Sequence, residues 1–321
     1  MAKRNDKAAG QAAYRKLKQD LRQGTVGSLY LFHGEEAYLR DHYLDQMKAK
    51  LIPPGMESFN YHRLAGKTLT AQRLAETVDA LSMMSPRTLI VVQDYDLFKA
   101  PEGERKAITQ LLEDLPEYCC LVFVYDLIPY KGDARTKLAA AIKQNGTVVN
   151  FARQDQGDLV DWISRRFRAL DRDIGTEDAK YLMFLCGDLM TNLIGEIEKI
   201  GAYAKGGRIT REDIDAVATP QLDAVVFRMT DAIGEGNFDR AASVLGDLLH
   251  MQEAPIKILA VLGKQLRQIY SARLALSNEL ETALPGFFAV GDGAGVTRGL
   301  AQAGASGVKA ARVVAERLDR E

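Results

Sequence analysis

Leu29-Tyr30-Leu31-Phe32-His33-Gly34-Glu35-Glu36-Ala37-Tyr38-Leu39-Arg40 joins a compact apolar strand to a helix through one glycine and two carboxylates. Residues 28–33 are apolar enough for a buried strand, and a helical pattern follows over 37–51 until Pro53-Pro54 stops it. A strand–turn–helix unit opening an α/β domain is the usual seat of a phosphate-binding loop, G-x-x-x-x-G-K-[ST]. Its backbone amides cradle phosphates while its lysine neutralises them. Here the Gly-Lys pair is missing and Glu35 and Glu36 stand where phosphates would sit. Like charges would repel a nucleotide.

Outward from this unit the alternation continues. Residues 58–64 alternate like a strand, 70–81 carry Leu74, Val78 and Leu81 on one helical face, and 88–92 form a continuous apolar strand. A helix over 102–115, a strand over 120–124, a helix over 134–144 and a fifth strand over 147–151 complete the pattern. Five strands alternating with helices predict a parallel sheet with helices on both faces. On the N-terminal side, 12–24 form a short basic amphipathic helix with Tyr14, Leu17 and Leu21 at helical spacing, ending in Gly24. Beyond Phe151 the strand signal disappears. Helices are expected over 159–170, 177–186, 189–205 and 211–218, the last opened by a Thr210/Asp213 capping pair. Three more follow over 224–234, 238–253 and 255–277, the last carrying Leu259, Leu262, Leu266 and Ile269 as a stripe.

With 321 residues, the chain has room for two or three domains at about 100–200 residues each. It carries 42 basic and 43 acidic side chains, so no global charge drives it onto nucleic acid. Cys119, Cys120 and Cys186 are an odd set without a C-x-x-C pair, which excludes a disulfide framework and a four-cysteine zinc site and fits a reducing cytoplasm. His33, His42, His62 and His250 offer no metal-ligating pair. The longest apolar run falls far short of the about 18 residues a membrane-spanning helix needs, and residues 1–24 lack the apolar core of a signal peptide. No cofactor or metal is expected, and no Ser/His/Asp order or paired catalytic carboxylate stands out.

Four features carry possible chemistry. Gly66-Lys67-Thr68 follows a strand and precedes a helix, but its first glycine is missing, so it reads as a turn before a helix capped by Thr70. The strands ending in Asp94 and Asp126 have the form of acidic metal-binding positions in NTPases, although Asp also ends strands for turn reasons alone. Leu81-Ser82-Met83-Met84-Ser85-Pro86-Arg87 places two polarizable thioethers at an element junction, where they either cap the core or insert into a partner's apolar pocket. Lys257, Lys264, Arg267 and Arg273 form a cationic stretch with no acid between Glu253 and Glu279, suited to solvent, phosphate or a neighbouring subunit.

Residues 29–40 together with 80–92, Cys186-Gly187-Asp188-Leu189 through Ile200, and Glu253-Ala254-Pro255-Ile256 through Gln268 resemble, in order, the δ subunit of the bacterial DNA polymerase III clamp loader. That resemblance implies an AAA+-type five-stranded module over 1–152 without ATPase activity, a helical lid over 153–219, and a helical collar over 220–321. It further implies a non-catalytic part of the DNA-directed DNA polymerase holoenzyme, a nucleotidyltransferase, acting in DNA replication. Its partners would be the β sliding clamp, the δ′ and τ/γ subunits of a hetero-pentamer, and DNA through the assembled complex. The family's pair of clamp-inserted apolar residues falls on Met83 and Met84, flanked by Leu81 and Arg87, and Met-Met departs from its more usual pairs. The alternatives are an active AAA+ ATPase using Gly66-Lys67-Thr68 and a DNA-binding accessory protein. After Leu284 the chain turns Gly-, Ala- and Val-rich where collar helices would continue, which points to a lost reading frame.

Overall fold

The computed structural model describes residues 2–250 and 252–276. These divide into two compact units, one of residues up to 183 with 187–217, the other of 184–186 with the described chain from 218 onward.

The first unit is built on a five-stranded, all-parallel sheet: β1 (Leu29–His33), β2 (Tyr61–Ala65), β3 (Thr88–Gln93), β4 (Cys119–Val124) and β5 (Thr147–Asn150), in the order β2-β3-β4-β1-β5. The central strands β1, β3 and β4 are buried nearly throughout, as continuous apolar runs dictate when helices cover both faces. α1 (Ala2–Gln23) precedes the sheet; α2 (Ala37–Leu51), α3 (Glu57–Asn60), α4 (Ala71–Asp79), α5 (Glu102–Glu113) and α6 (Lys137–Asn145) connect its strands. This is the expected five-stranded parallel sheet with connecting helices. α4 starts where Thr70 Oγ1 accepts the Arg73 N–H at 3.2 Å. α2 ends at Ile52, whose backbone is extended ahead of Pro53.

Then come α7 (Gln156–Arg168), α8 (Thr176–Cys186), α9 (Met190–Tyr203) and α10 (Arg211–Val217). Asp155 caps α7 by accepting the Asp158 N–H at 2.9 Å. Thr210 and Asp213 cap α10 reciprocally, Thr210 N–H donating to Asp213 Oδ2 at 3.0 Å and Asp213 N–H to Thr210 Oγ1 at 3.3 Å. Against the all-helical expectation past Phe151, β6 (Asp173–Ile174) pairs in parallel with β7 (Arg208–Ile209). Two residues per strand are too few to show a period in sequence. The expected strand over 58–64 is present as β2 from Tyr61 onward, and only its first residues form a helical turn, α3.

In the second unit α11 (Leu222–Gly234), α12 (Phe238–His250) and α13 (Pro255–Leu276) surround Val226, Met229, Ala232, Leu248 and Ile258. The face that α13 buries shares only Leu262 with the expected stripe. Ile258, Val261 and Leu262 pack inward, and Gln265 turns to α11, accepting from Thr230 Oγ1 at 3.2 Å. Leu259, Leu266 and Ile269 are exposed. Among the described residues no helix is long and apolar enough to cross a membrane. The tail beyond Leu284 lies outside the described residues.

One glycine ties the core together. Gly34, leaving β1, has φ +123°, and a Cβ there would lie 2.3 Å from the Phe151 carbonyl oxygen. The Glu36 N–H donates to that same oxygen at 2.9 Å. Gly34→Ala is therefore expected to lower unfolding stability by about 2–4 kcal/mol in a denaturant titration. An unchanged midpoint would show that the turn tolerates a side chain.

Candidate functional site

The chain between α4 and β3 forms an exposed loop whose apolar side chains point away from the core. Leu81, Met83 and Met84 are 76%, 56% and 85% exposed. Three large apolar side chains within four residues are costly to leave in water, and their exposure excludes the core-cap reading.

The backbone beneath them is held. The fully buried Asn60 faces the Met83 peptide as a neighbouring strand would: its Oδ1 accepts the Met83 N–H at 2.8 Å and its Nδ2 donates to Met83 O, also at 2.8 Å. Nδ2 also reaches Met56 O at 3.3 Å, which closes the α3 turn. Met84 then adopts φ +52°, sparsely populated for a side chain of this size, and Pro86 follows two residues on. Ser85 Oγ lies 2.8 Å from Arg87 O and 3.3 Å from Leu51 O. Arg87 faces inward. Its guanidinium donates to the carbonyls of Val26, of Gly27 at 3.0 Å and of Cys119 at 3.0 Å, bracing the start of β3. Its place is under the tip, not on it. Sequence reasoning missed Asn60 and Ser85; the one available signal was an asparagine inside an otherwise strand-like stretch.

The Gly-Glu-Glu turn forms a second constellation. Glu36 is fully buried, and its Oε1 accepts the Met190 N–H at 3.1 Å, the first residue of α9, whose own N-cap residue Leu189 provides no side-chain cap. Among the described residues its other oxygen has no hydrogen-bond partner. Burial pushes the Glu36 carboxyl up to about 7, the Met190 N–H opposes this, and the nearby Asp188 charge adds to it. Beside it Arg153 spans Glu35 Oε2 at 2.7 Å and Asp188 Oδ1 at 2.9 Å. The end of β1, where a phosphate loop would hold a nucleotide against the following helices, is thus filled by the protein's own carboxylates, one of them on a helix N-terminus.

The other candidates resolve into structural roles. Asp94 Oδ1 accepts the backbone N–H groups of Asp126, Leu127 and Ile128 at 2.8, 2.9 and 3.3 Å, and Asp126 pairs with the buried Arg40 at 2.7 Å. Both acids organise the sheet's C-terminal edge. Gly66-Lys67-Thr68 is a single 3₁₀ turn on the outermost strand, and a Cβ on Gly66 would meet Tyr95 N at 2.4 Å, so this glycine serves close packing, not a phosphate arch. In the second unit Lys257 pairs with Glu253 at 2.8 Å and Lys264 with Asp223 at 3.4 Å, while Arg267 is exposed. The Arg273 side chain lies outside the described residues.

The raised Glu36 carboxyl makes a signed pH prediction. The folded state binds this proton up to about pH 7 while the unfolded chain releases it near 4.5, so the contribution is present below about 4.5 and lost as pH rises through 7. Glu36→Gln keeps the acceptor for Met190 and removes the ionisation. It should raise stability at pH 8 by about 1–3 kcal/mol and leave it nearly unchanged near pH 5 in denaturant titrations. Equal destabilisation at both pH values would contradict this.

Comparison with known proteins places these features in one family. The family model "DNA polymerase III, delta subunit" matches residues 30–152, and "DNA polymerase III delta subunit, C-terminal domain" matches 223–283. DNA polymerase III subunit delta of Bacillus subtilis is 24% identical over 263 residues, 79% of this chain and 75% of that one. A probable DNA polymerase III subunit delta of Aquifex aeolicus is 21% identical over 253 residues, 76% of this chain and 70% of the relative. The structure of a Bacillus subtilis DNA clamp loader delta protein shares the fold, with a TM-score of 0.55 at 21% identity, covering 82% of this chain and 79% of that one. With one model on the sheet and the other on the C-terminal helices, the chain belongs to the DNA polymerase III delta subunit family.

Proposed function

We propose that this chain is the clamp-loader subunit that binds and opens the ring-shaped β sliding clamp, so that the ring can be loaded on primed DNA during replication. The observation carrying this reading is the apolar tip, Leu81, Met83 and Met84, exposed on a backbone that Asn60 holds from below. Methionine is unbranched and polarizable, so an adjacent pair adapts to an apolar pocket whose walls were shaped by other residues. Burying both side chains supplies roughly 3–6 kcal/mol of gross apolar gain, enough to anchor a contact and too little for a tight complex unaided. Leu81 extends the same surface, and Arg87 acts by positioning.

In this reading residues 1–152 are the clamp-binding module, 153–219 the lid and 220–321 the collar, and the subunit is cytoplasmic. The collar seats it beside δ′ and τ/γ in a hetero-pentamer that reaches DNA as an assembled complex. The exposed Leu259, Leu266 and Ile269 of α13 suit such packing between subunits. The subunit is mechanical, and the carboxylates filling the end of β1 support an energy source in its neighbours.

The test is binding to the sliding clamp of the same organism without nucleotide. Met83→Ala combined with Met84→Ala should weaken it at least about tenfold in a surface-binding assay, with the thermal unfolding midpoint preserved. Unchanged affinity would reject this surface. ATP turnover by the isolated chain, abolished by Lys67→Ala, would favour the ATPase alternative.

A further inference from the structure

Sulfur is unevenly placed in this chain. Among the described residues the three cysteines and Met47, Met183, Met190 and Met229 are buried and Met56 is half-buried, whereas Met83 and Met84 are exposed. Burial also pushes the Cys119 and Cys120 thiols up to about 12, so near neutral pH neither offers the reactive thiolate. The exposed sulfurs thus stand on two adjacent residues of one loop, the loop that carries the apolar tip.

A thioether is apolar when reduced and polar when oxidised. A hydroperoxide transfers one oxygen to the methionine sulfur: the O–O bond breaks, an S–O bond forms, the sulfur gives up two electrons, and the peroxide's other oxygen leaves as water or an alcohol. The sulfoxide oxygen accepts hydrogen bonds from water, and an apolar pocket that took in both side chains would strip that water away without replacing it. Leucine or phenylalanine would supply similar apolar area without this sensitivity. The loop itself survives the change, because its root is fixed through backbone atoms. Asn60 holds the Met83 N–H and C=O, and Ser85 and Arg87 bond to carbonyls, so no thioether takes part. Oxidation alters the contact surface and leaves its support in place.

We infer that Met83 and Met84 are a reversible oxidation site, at which a hydroperoxide turns the docking tip from apolar to polar and releases its partner. Reversal takes two electrons from a dithiol, which becomes a disulfide while the sulfoxide oxygen leaves as water. The release rests on the proposed clamp contact; the oxidation site does not.

The experiment treats the full chain with dilute hydrogen peroxide and has two arms. In the first, peptide mass spectrometry should find one oxygen added to each of Met83 and Met84 while Met47, Met190 and Met229 stay reduced, with the thermal unfolding midpoint unchanged. The two methionine sulfoxide reductases, one for each sulfoxide epimer, should then remove both oxygens with a dithiol. In the second arm peroxide is removed and the sliding clamp of the same organism is added without nucleotide. The doubly oxidised chain should bind it at least about tenfold more weakly than the untreated chain, and enzymatic reduction should restore the affinity. Met83→Leu with Met84→Leu, whatever affinity it starts from, should lose none of it to peroxide. Oxidation that spares the tip, reaches the buried methionines as readily, or lowers the unfolding midpoint would overturn the site. Full affinity in the doubly oxidised chain, or an equal loss in the leucine variant, would overturn the release. An untreated chain that does not bind the clamp would overturn the clamp reading and the release with it, while the first arm still decides the oxidation site.

Discussion

The pairing of the Asn60 carboxamide with the Met83 peptide is the contact on which the arrangement depends. It pairs both the backbone N–H and the C=O of Met83 with one side chain, a net gain of about 0.5–1.5 kcal/mol per hydrogen bond. Because it acts on the backbone, it leaves the methionine side chain free. The loop is therefore ordered at its root and apolar at its surface, and less conformational entropy is lost when a partner covers it. Arg87 and Ser85 extend the same logic downward, tying the loop to the start of β3 and the end of α2.

At the opposite edge of the sheet, carboxylates take over the position that a bound phosphate holds in nucleotide-dependent relatives of this architecture. Glu36 contacts the N-terminus of α9, and Arg153 joins Glu35 to Asp188, so the helices after β5 are linked to the sheet by internal charge. A link of this kind does not come and go with a ligand. The partly satisfied Glu36 carries a cost in ionisation, which is why its carboxyl is lifted toward neutrality.

Much of this was legible in the residues. Continuous apolar runs marked β1, β3 and β4, because strands buried on both faces need no alternation, and Thr70 and Thr210 marked helix starts through their hydroxyls. The Gly34-Glu35-Glu36 turn and the Met83-Met84 pair stood out by residue type. What stayed hidden was set by partners distant in sequence. Asn60 makes a helical turn where alternation predicts strand, because it bonds 23 residues away. Arg87 looks like a surface cation, but carbonyls from the strand-β1 approach and β4 draw it inward. On α13 the buried face is offset by one residue, since Gln265 prefers a polar partner on α11 to solvent. The β6–β7 pair is too short for any period to reveal.

The central claim is that an ordered methionine tip meets another protein without nucleotide. Brief peroxide oxidation followed by mass spectrometry reads it directly, with the fully buried Met47 as internal reference. In the free chain Met83 and Met84 should oxidise much faster than Met47, and saturating sliding clamp, with no nucleotide present, should slow them to near the Met47 rate. Slow oxidation of both in the free chain, or fast oxidation that the clamp leaves untouched, would contradict the account.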